Sequence, residues 1–206
     1  MKSLWEKGYY VIGVDEVGRG ALAGPLTVGA VCFLTIFLDS VEKLGINDSK
    51  KLSPTKREKL AKIIKKTCLA YSASSVSNKV INRLGIVKAT QVAMRKVIKG
   101  LIDKNSKLKG KKLFILIDAF YIKYLRGVGL KNQKAIIKGD EKSISIAAAS
   151  IIAKVERDHN MIKLDQEYPI YFWKKNKGYG TRKHIEAIKK FGKSKLHRDL
   201  FLRNIL

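Results

Sequence analysis

The 206-residue chain is expected to fold as an α/β domain with a helical C-terminal end. Three observations carry this expectation. Short β-branched and apolar runs open the chain, helical and strand-like patterns alternate through its middle, and only helical patterns follow residue 143. Hydrophobic residues make up 46% of the sequence, enough for a substantial core and too many for a disordered chain.

Tyr9–Val14 (Y-Y-V-I-G-V) combines aromatic and β-branched residues and predicts a first strand. A glycine-rich stretch over 18–25 leads to a second strand over 26–34, and so short a connection implies antiparallel pairing. Ser53-Pro54 has the form of an N-cap followed by proline at the first helical position, opening a basic amphipathic helix to about Lys66. Residues 68–76 predict a third strand. Val87, Val92, Met94, Val97, Ile98 and Leu101 share one side of a helix over 86–101. Leu113–Ile117 is continuously apolar and runs into Asp118, the pattern of a central strand covered on both faces. A short strand over 135–137 comes before Gly139-Asp140. Residues 143–168 then read as a long helix whose Ala-rich first half permits close packing. The polar stretch 104–112 predicts a surface loop. Beyond Pro169, an aromatic loop at 171–173 and Gly178–Thr181 precede a helix over 182–191 and a short helical tail.

Charge narrows the partners. Lys and Arg total 43 against 17 Asp and Glu, a net +26, and a field of that sign attracts polyanions. No run approaches the roughly 18 apolar residues of a membrane span, and the first residues have no signal-peptide core. Cys32 and Cys68 sit in apolar stretches, as buried free thiols of a reducing compartment would, so the expected location is the cytoplasm.

In so basic a chain, acids at the ends of buried strands need a reason. Asp15 and Glu16 follow Val11–Val14, Asp118 follows Leu113–Ile117, and Asp140 follows Ile136–Gly139. A single strand-end acid is most often a cap or a salt-bridge partner. Four of them, two adjacent, converging at one sheet edge would repel unless protons or cations lay between them. Hard divalent cations take oxygen ligands, and two of them can activate water against a phosphodiester. His159, His184 and His197 lack zinc-site spacing, and no nucleophile elbow is present. Gly18-Arg19-Gly20 lies just past the acidic pair, where glycines let backbone groups approach a sugar-phosphate chain.

Gly13–Gly20 (G-V-D-E-V-G-R-G) with Ala23-Gly24-Pro25 resembles the opening signature of type 2 ribonuclease H, ribonuclease HII. The resemblance continues through Asp48–Ser53 (D-S-K-K-L-S), Leu116–Asp118, Lys138–Asp140, Ser143–Asp158, Lys177–Thr181 (K-G-Y-G-T) and His184. It implies an RNase H-like fold, a mixed five-stranded sheet flanked by helices with a C-terminal helical segment. It divides the chain into a catalytic domain over 1–168 and a loop-and-helix segment over 169–206 packed on it. The implied activity is cleavage of the RNA strand of RNA–DNA hybrids, and of DNA duplexes at single embedded ribonucleotides, leaving 5′-phosphate and 3′-hydroxyl ends. Asp15, Glu16, Asp118 and Asp140 would be catalytic carboxylates binding Mg²⁺ or Mn²⁺. Backbone groups of Gly18, Arg19 and Gly20 would meet the 2′-hydroxyl, which alone separates RNA from DNA at a site. Tyr179 would pack on the sugar of the following deoxynucleotide, and Ser49 and Lys50 would help hold substrate phosphate.

The chain departs from the family pattern at Asn176, Glu141 and Leu200, where histidine, a small residue and serine are usual. The sister type, ribonuclease HIII, lacks the G-R-G form and usually carries a further N-terminal domain; only eight residues precede Tyr9 here. Competing classes are a resolvase- or integrase-like nuclease of the same fold and a non-catalytic basic nucleic-acid-binding protein. Trp5, Tyr171, Phe172 and Trp173 are expected in packing more than in base stacking, Arg157 and Asp158 to brace the fold, and Asp39, Glu42, Asp165 and Glu167 to be surface charge. No protein-partner motif stands out, and a monomer is the default expectation.

Overall fold

The computed structural model describes residues 2–34, 45–46, 49, 52–125, 127–203 and 205–206. A short helix, α1 (Lys2–Glu6), precedes β1 (Tyr10–Val17) and β2 (Leu26–Cys32). Then come α2 (Pro54–Thr67), β3 (Ala70–Val76), α3 (Asn78–Asp103), β4 (Leu113–Asp118) and β5 (Gln133–Ile136). The remainder is helical: α4 (Gly139–Lys142), α5 (Ile144–Glu167), α6 (Trp173–Asn176), α7 (Arg182–Phe191) and α8 (Asp199–Leu202).

The five strands form one mixed sheet in the order β3-β2-β1-β4-β5. The first hairpin is antiparallel, as the short glycine-rich connection requires, with Val17 opposite Thr27. β4 and β5 join in parallel, with Val14 opposite Ile117 and Asp118 opposite Ile136. Ile115, Leu116 and Ile117 are fully buried, as a doubly covered central strand demands. Each such side chain contributes about 1.5–3 kcal/mol by leaving water.

Alternation along β1 sorts its side chains onto two faces. Ile12 and Val14 pack in the cluster that includes Met94, Val97 and Ile98 of α3. On the other face, Val11 meets Ile146 of α5. There α5 lies very close to the strands. A Cβ placed on Gly13 would stand 2.1 Å from the Ser145 carbonyl carbon, and one on Gly29 would stand 2.2 Å from the Ala149 oxygen. Ala148 and Ala149 keep the helix side equally thin.

Several expectations shift in detail. β1 does not stop before the acids but runs through Asp15 and Glu16, because pairing with β2 persists beyond its contact with β4. β5 closes at Ile136; Lys138 then turns the chain at φ +55°, so Asp140 lies in the first turn of α4 and not at a strand end. α3 begins eight residues earlier than its apolar spacing indicates, capped by the Ser77 hydroxyl, and breaks at Gly85 (φ +75°). The polar stretch 104–112 contains a 3₁₀ turn, Ser106–Leu108, whose Leu108 is fully buried. Ser53 caps α2 as expected, its hydroxyl accepting from the Lys56 amide. The aromatic loop is a 3₁₀ turn followed by α6, with Tyr171 and Trp173 stacked in the core at 5.2 Å. Phe172, at φ +57°, turns outward and is exposed. Among the described residues no helix is long and apolar enough to cross a membrane.

Candidate active site

The register Gly13↔Leu116 and Val14↔Ile117, stepped once further, brings Asp15 level with Asp118 at one edge of the sheet. Asp15 is buried, and its Oδ1 accepts from the Glu16 amide at 2.7 Å. The Ser150 hydroxyl of α5, 2.9 Å from the Ser49 hydroxyl, is near enough to the Asp15 carboxylate to oppose the rise of its pKa. Asp118 accepts from the Gly139 amide at 2.8 Å, which ties the start of α4 and the buried Asp140 to the end of β4. Glu16 lies 3.7 Å from the Arg19 guanidinium, and its buried Oε2 has no hydrogen-bond partner among the described residues.

Burial dominates the electrostatics of the pair. It pushes Asp15 up to about 7, with the charges of Asp118 and Asp140 adding to the rise. Glu16 goes up to about 8, again by burial first and then by repulsion from Asp15, although Arg19 opposes the shift. Carboxylates raised in the fold favour their protonated forms there, so their contribution to stability is present below pH 4 and is lost as pH rises through 7 to 8. Asp15→Asn keeps an acceptor for the Glu16 amide and removes the buried charge. In metal-free buffer it is expected to melt several degrees above the parent at pH 8, at about 2–4 °C per kcal/mol. The gap should close by pH 5. Thermal melts across that range check this, and a parent more stable than the variant at pH 8 would contradict it.

These acids border a cavity of about 590 Å³ whose lining also includes Gly18, Arg19, Gly20, Ser49 and Tyr179. Asp140 is not among the lining residues, but its charge acts on Asp15. Lys50 lies outside the described residues, as do Asp39 and Glu42. Among the described residues no three acids, histidines or cysteines close tightly on one point, so the carboxylates ring an open space. An all-oxygen donor set with an unpartnered buried Glu16 oxygen and two carboxyls unwilling to ionise alone suits a hard divalent cation.

The Gly18–Gly20 loop is held from below by two fully buried arginines. Arg198 Nη1 donates to the carbonyls of Gly18 and Arg19 at 2.8 and 3.0 Å, and its Nε to Gly24. Arg157 Nε donates to Pro25, while its guanidinium faces the Tyr179 ring at 5.2 Å. Gly18 (φ +91°) has room for no side chain, since a Cβ would lie 2.0 Å from Arg157 Nε. Burial, and for Arg198 also the charge of Arg157, lowers both guanidinium pKa values; Arg198, at about 9, stays charged at neutral pH. Arg157 thus braces more than the fold; it links Tyr179 to the loop after β1.

Tyr179 is fixed from behind as well. Trp173 Nε1 donates to His184 Nε2 at 3.0 Å, which leaves His184 Nδ1 to donate to the Tyr179 carbonyl at 2.9 Å. Asn176 accepts from the Gly178 amide and donates to Tyr171, so it builds the turn before Tyr179. Glu141 and Leu200 are exposed, away from the cavity lining. Arg57 is buried and donates to the carbonyls of Ser49 and Leu52, steadying Ser49. Ser150, Arg57, Lys154 and Arg198 were not singled out from sequence: an isolated serine on an Ala-rich helix, or an arginine in a chain with 43 basic residues, carries no local mark.

The family model of ribonuclease HII matches residues 12–204. The chain belongs to the ribonuclease HII family. It is 45% identical to a ribonuclease HII of Caldicellulosiruptor bescii, covering 100% of this chain and 93% of the relative. It is also 45% identical to one from Clostridioides difficile, over 98% of this chain and 74% of that one. Among solved structures, the ribonuclease HII of Archaeoglobus fulgidus, determined in complex with PCNA, is 27% identical with a TM-score of 0.75, over 92% of this chain and 94% of that one. The five-stranded sheet with its flanking helices is therefore the RNase H-like fold of a ribonuclease HII, and the chain is a ribonuclease by family.

Proposed function

We propose that this ribonuclease HII hydrolyses the RNA strand of RNA–DNA hybrids and also cuts at single ribonucleotides embedded in duplex DNA. The reading rests on one observation, the meeting of the carboxylates with Gly18–Gly20 and Tyr179 around a single cavity. Asp15, Glu16, Asp118 and Asp140 would hold Mg²⁺ or Mn²⁺. A pair of such ions supplies, when bound, an activated water and charge neutralisation at the leaving oxygen. Arg198 occupies the Gly18 and Arg19 carbonyls, so the loop's amide groups are the better-placed donors to a ribose 2′-hydroxyl. Ser49, held by Arg57 and Ser150, would donate to substrate phosphate, and Lys50 would join it. Tyr179, fixed by Arg157 and His184, would pack on the sugar of the next deoxynucleotide. The free thiols Cys32 and Cys68 suit a cytoplasmic setting, and we take the enzyme as a monomer.

The test is incubation with an all-DNA duplex, a uniform hybrid and a duplex bearing one ribonucleotide, each with and without Mn²⁺. Cleavage should occur only in ribonucleotide-containing strands and only with metal, leaving 5′-phosphate and 3′-hydroxyl ends. Cutting of the all-DNA duplex would instead favour a resolvase-like nuclease, and binding without turnover a non-catalytic one. Tyr179→Ala is expected to slow cleavage at the single ribonucleotide by about tenfold or more, given stacking contacts of about 1–3 kcal/mol. The loss on uniform hybrid should be smaller, because every sugar there carries a 2′-hydroxyl. Equal losses in single-turnover rates on the two substrates would remove Tyr179 from this role.

A further inference from the structure

Arg57 and Lys154 line the catalytic cavity and also a second cleft, of about 430 Å³, bounded by α2, α5 and the turn carrying α6. Lys174, Lys175 and Lys177 form its far side. Among the described residues five cations therefore face two carboxylates in this cleft, and both carboxylates are engaged. Asp158 pairs with Lys154 at 2.7 Å and with Arg57 at 3.9 Å, and Glu58 pairs with His159 at 2.7 Å. Among the described residues neither Lys174 nor Lys175 has a carboxylate within ion-pair distance, and both are exposed. The backbone presenting them is held in place: the Lys174 amide donates to Asp165 at 2.9 Å. Lys177 is half-buried close to Lys154 and Arg57, and burial followed by those like charges lowers its pKa against the pull of Asp158 and Asp165.

We propose that this cleft is a track for the sugar-phosphate backbone of the bound duplex. One strand would leave the cleavage site over Lys154 and Arg57 and continue past Lys177 to Lys174 and Lys175. The net charge of +26 is spread widely over the chain and would by itself give diffuse attraction only. What separates this patch is that it is concave, continuous with the catalytic cavity, and left with surplus cations on a rigid turn. Backbone phosphates satisfy such surplus cations at any sequence, and each contact adds to the salt dependence of binding.

The inference rests on the reading that the chain's substrate is a nucleic-acid duplex, so the test reads binding separately from cleavage. The variant is Lys174→Glu with Lys175→Glu, two exposed positions outside the catalytic cavity. Binding of a fluorescent RNA–DNA hybrid, followed by anisotropy without metal over a salt series, should weaken about tenfold, and the log–log salt slope should fall by about two. Cleavage at saturating substrate should keep its kcat. The difference from wild type should vanish on duplexes shortened on one flank of the cleavage point and persist on those shortened on the other. Unchanged affinity and slope would overturn the track, and so would an equal loss on every shortened duplex, which marks a diffuse field. Wild-type protein that binds the hybrid as described but never cuts it would overturn the nuclease reading and leave the track standing.

Discussion

Asp118→Asn is expected to lower single-turnover cleavage by about a thousandfold or more while binding of the hybrid persists. The Asp118 carboxylate lies at the end of β4 beside Asp15, with Oδ1 taken by the Gly139 amide. An asparagine can keep that acceptor, so the joint between β4 and α4 survives. What disappears is a negative charge, and an all-oxygen site of this kind supplies several kcal/mol of charge stabilisation only through the cations it holds. Affinity for the duplex would come instead from Lys and Arg against phosphate, which the substitution does not touch. Cleavage rates and anisotropy on one preparation separate the two quantities. Undiminished cleavage would sink the carboxylate assignment, and lost binding would show that the residue supports the fold.

Gly13→Ala or Gly29→Ala should be the most damaging substitution for stability. Each new methyl would meet backbone of α5, at 2.1 Å from the Ser145 carbonyl carbon or 2.2 Å from the Ala149 oxygen, so no side-chain rotation can relieve it. Overpacking a tight core costs about 1–3 kcal/mol even where side chains can yield. Here a helix must move away from the sheet, and we expect a loss at or above that range. The midpoint should fall by roughly 10 °C, at about 2–4 °C per kcal/mol. Activity should drop more than stability predicts, because Ser150 rides on the displaced helix while Asp15 stays on β1. Gly20→Ala is the control: no atom of the described residues stands within 4 Å of a methyl placed there, and its melting temperature should barely change. A Gly13→Ala protein with the parental midpoint would mean that α5 does not pack as closely as described.

How far the sequence carried depended on whether the decisive forces were local. Leu113–Ile117 could be read as a central strand because burial on both faces leaves an unbroken apolar run. The caps at Ser53 and Thr181 are short-range hydrogen bonds, and the helices they open begin where expected. Asp140 was misplaced by one element, because a single left-handed residue, Lys138, turns strand into helix and lysine carries no signal for that conformation. The start of α3 was missed because its first turns are polar and a glycine break interrupts its periodicity at 85. In the cavity, the acids and the glycine loop stood out by chemistry. Their supports did not: Ser150 and Arg198 act through contacts with residues more than a hundred positions away, and nothing near them in the chain marks those contacts.

That separation bears on the order in which the enzyme matures during synthesis. The strands that carry Asp15, Glu16 and Asp118 are complete once β5 has been made, and α4 and α5 follow directly. The carbonyls of Gly18 and Arg19 receive their guanidinium only from Arg198, 180 and 179 positions downstream. Until that arginine leaves the ribosome, the chain holds its acids without a set loop beside them. The loop beside the acids is thus among the last features to be fixed, so a nascent chain completes that wall of the cavity only after the acids are in place.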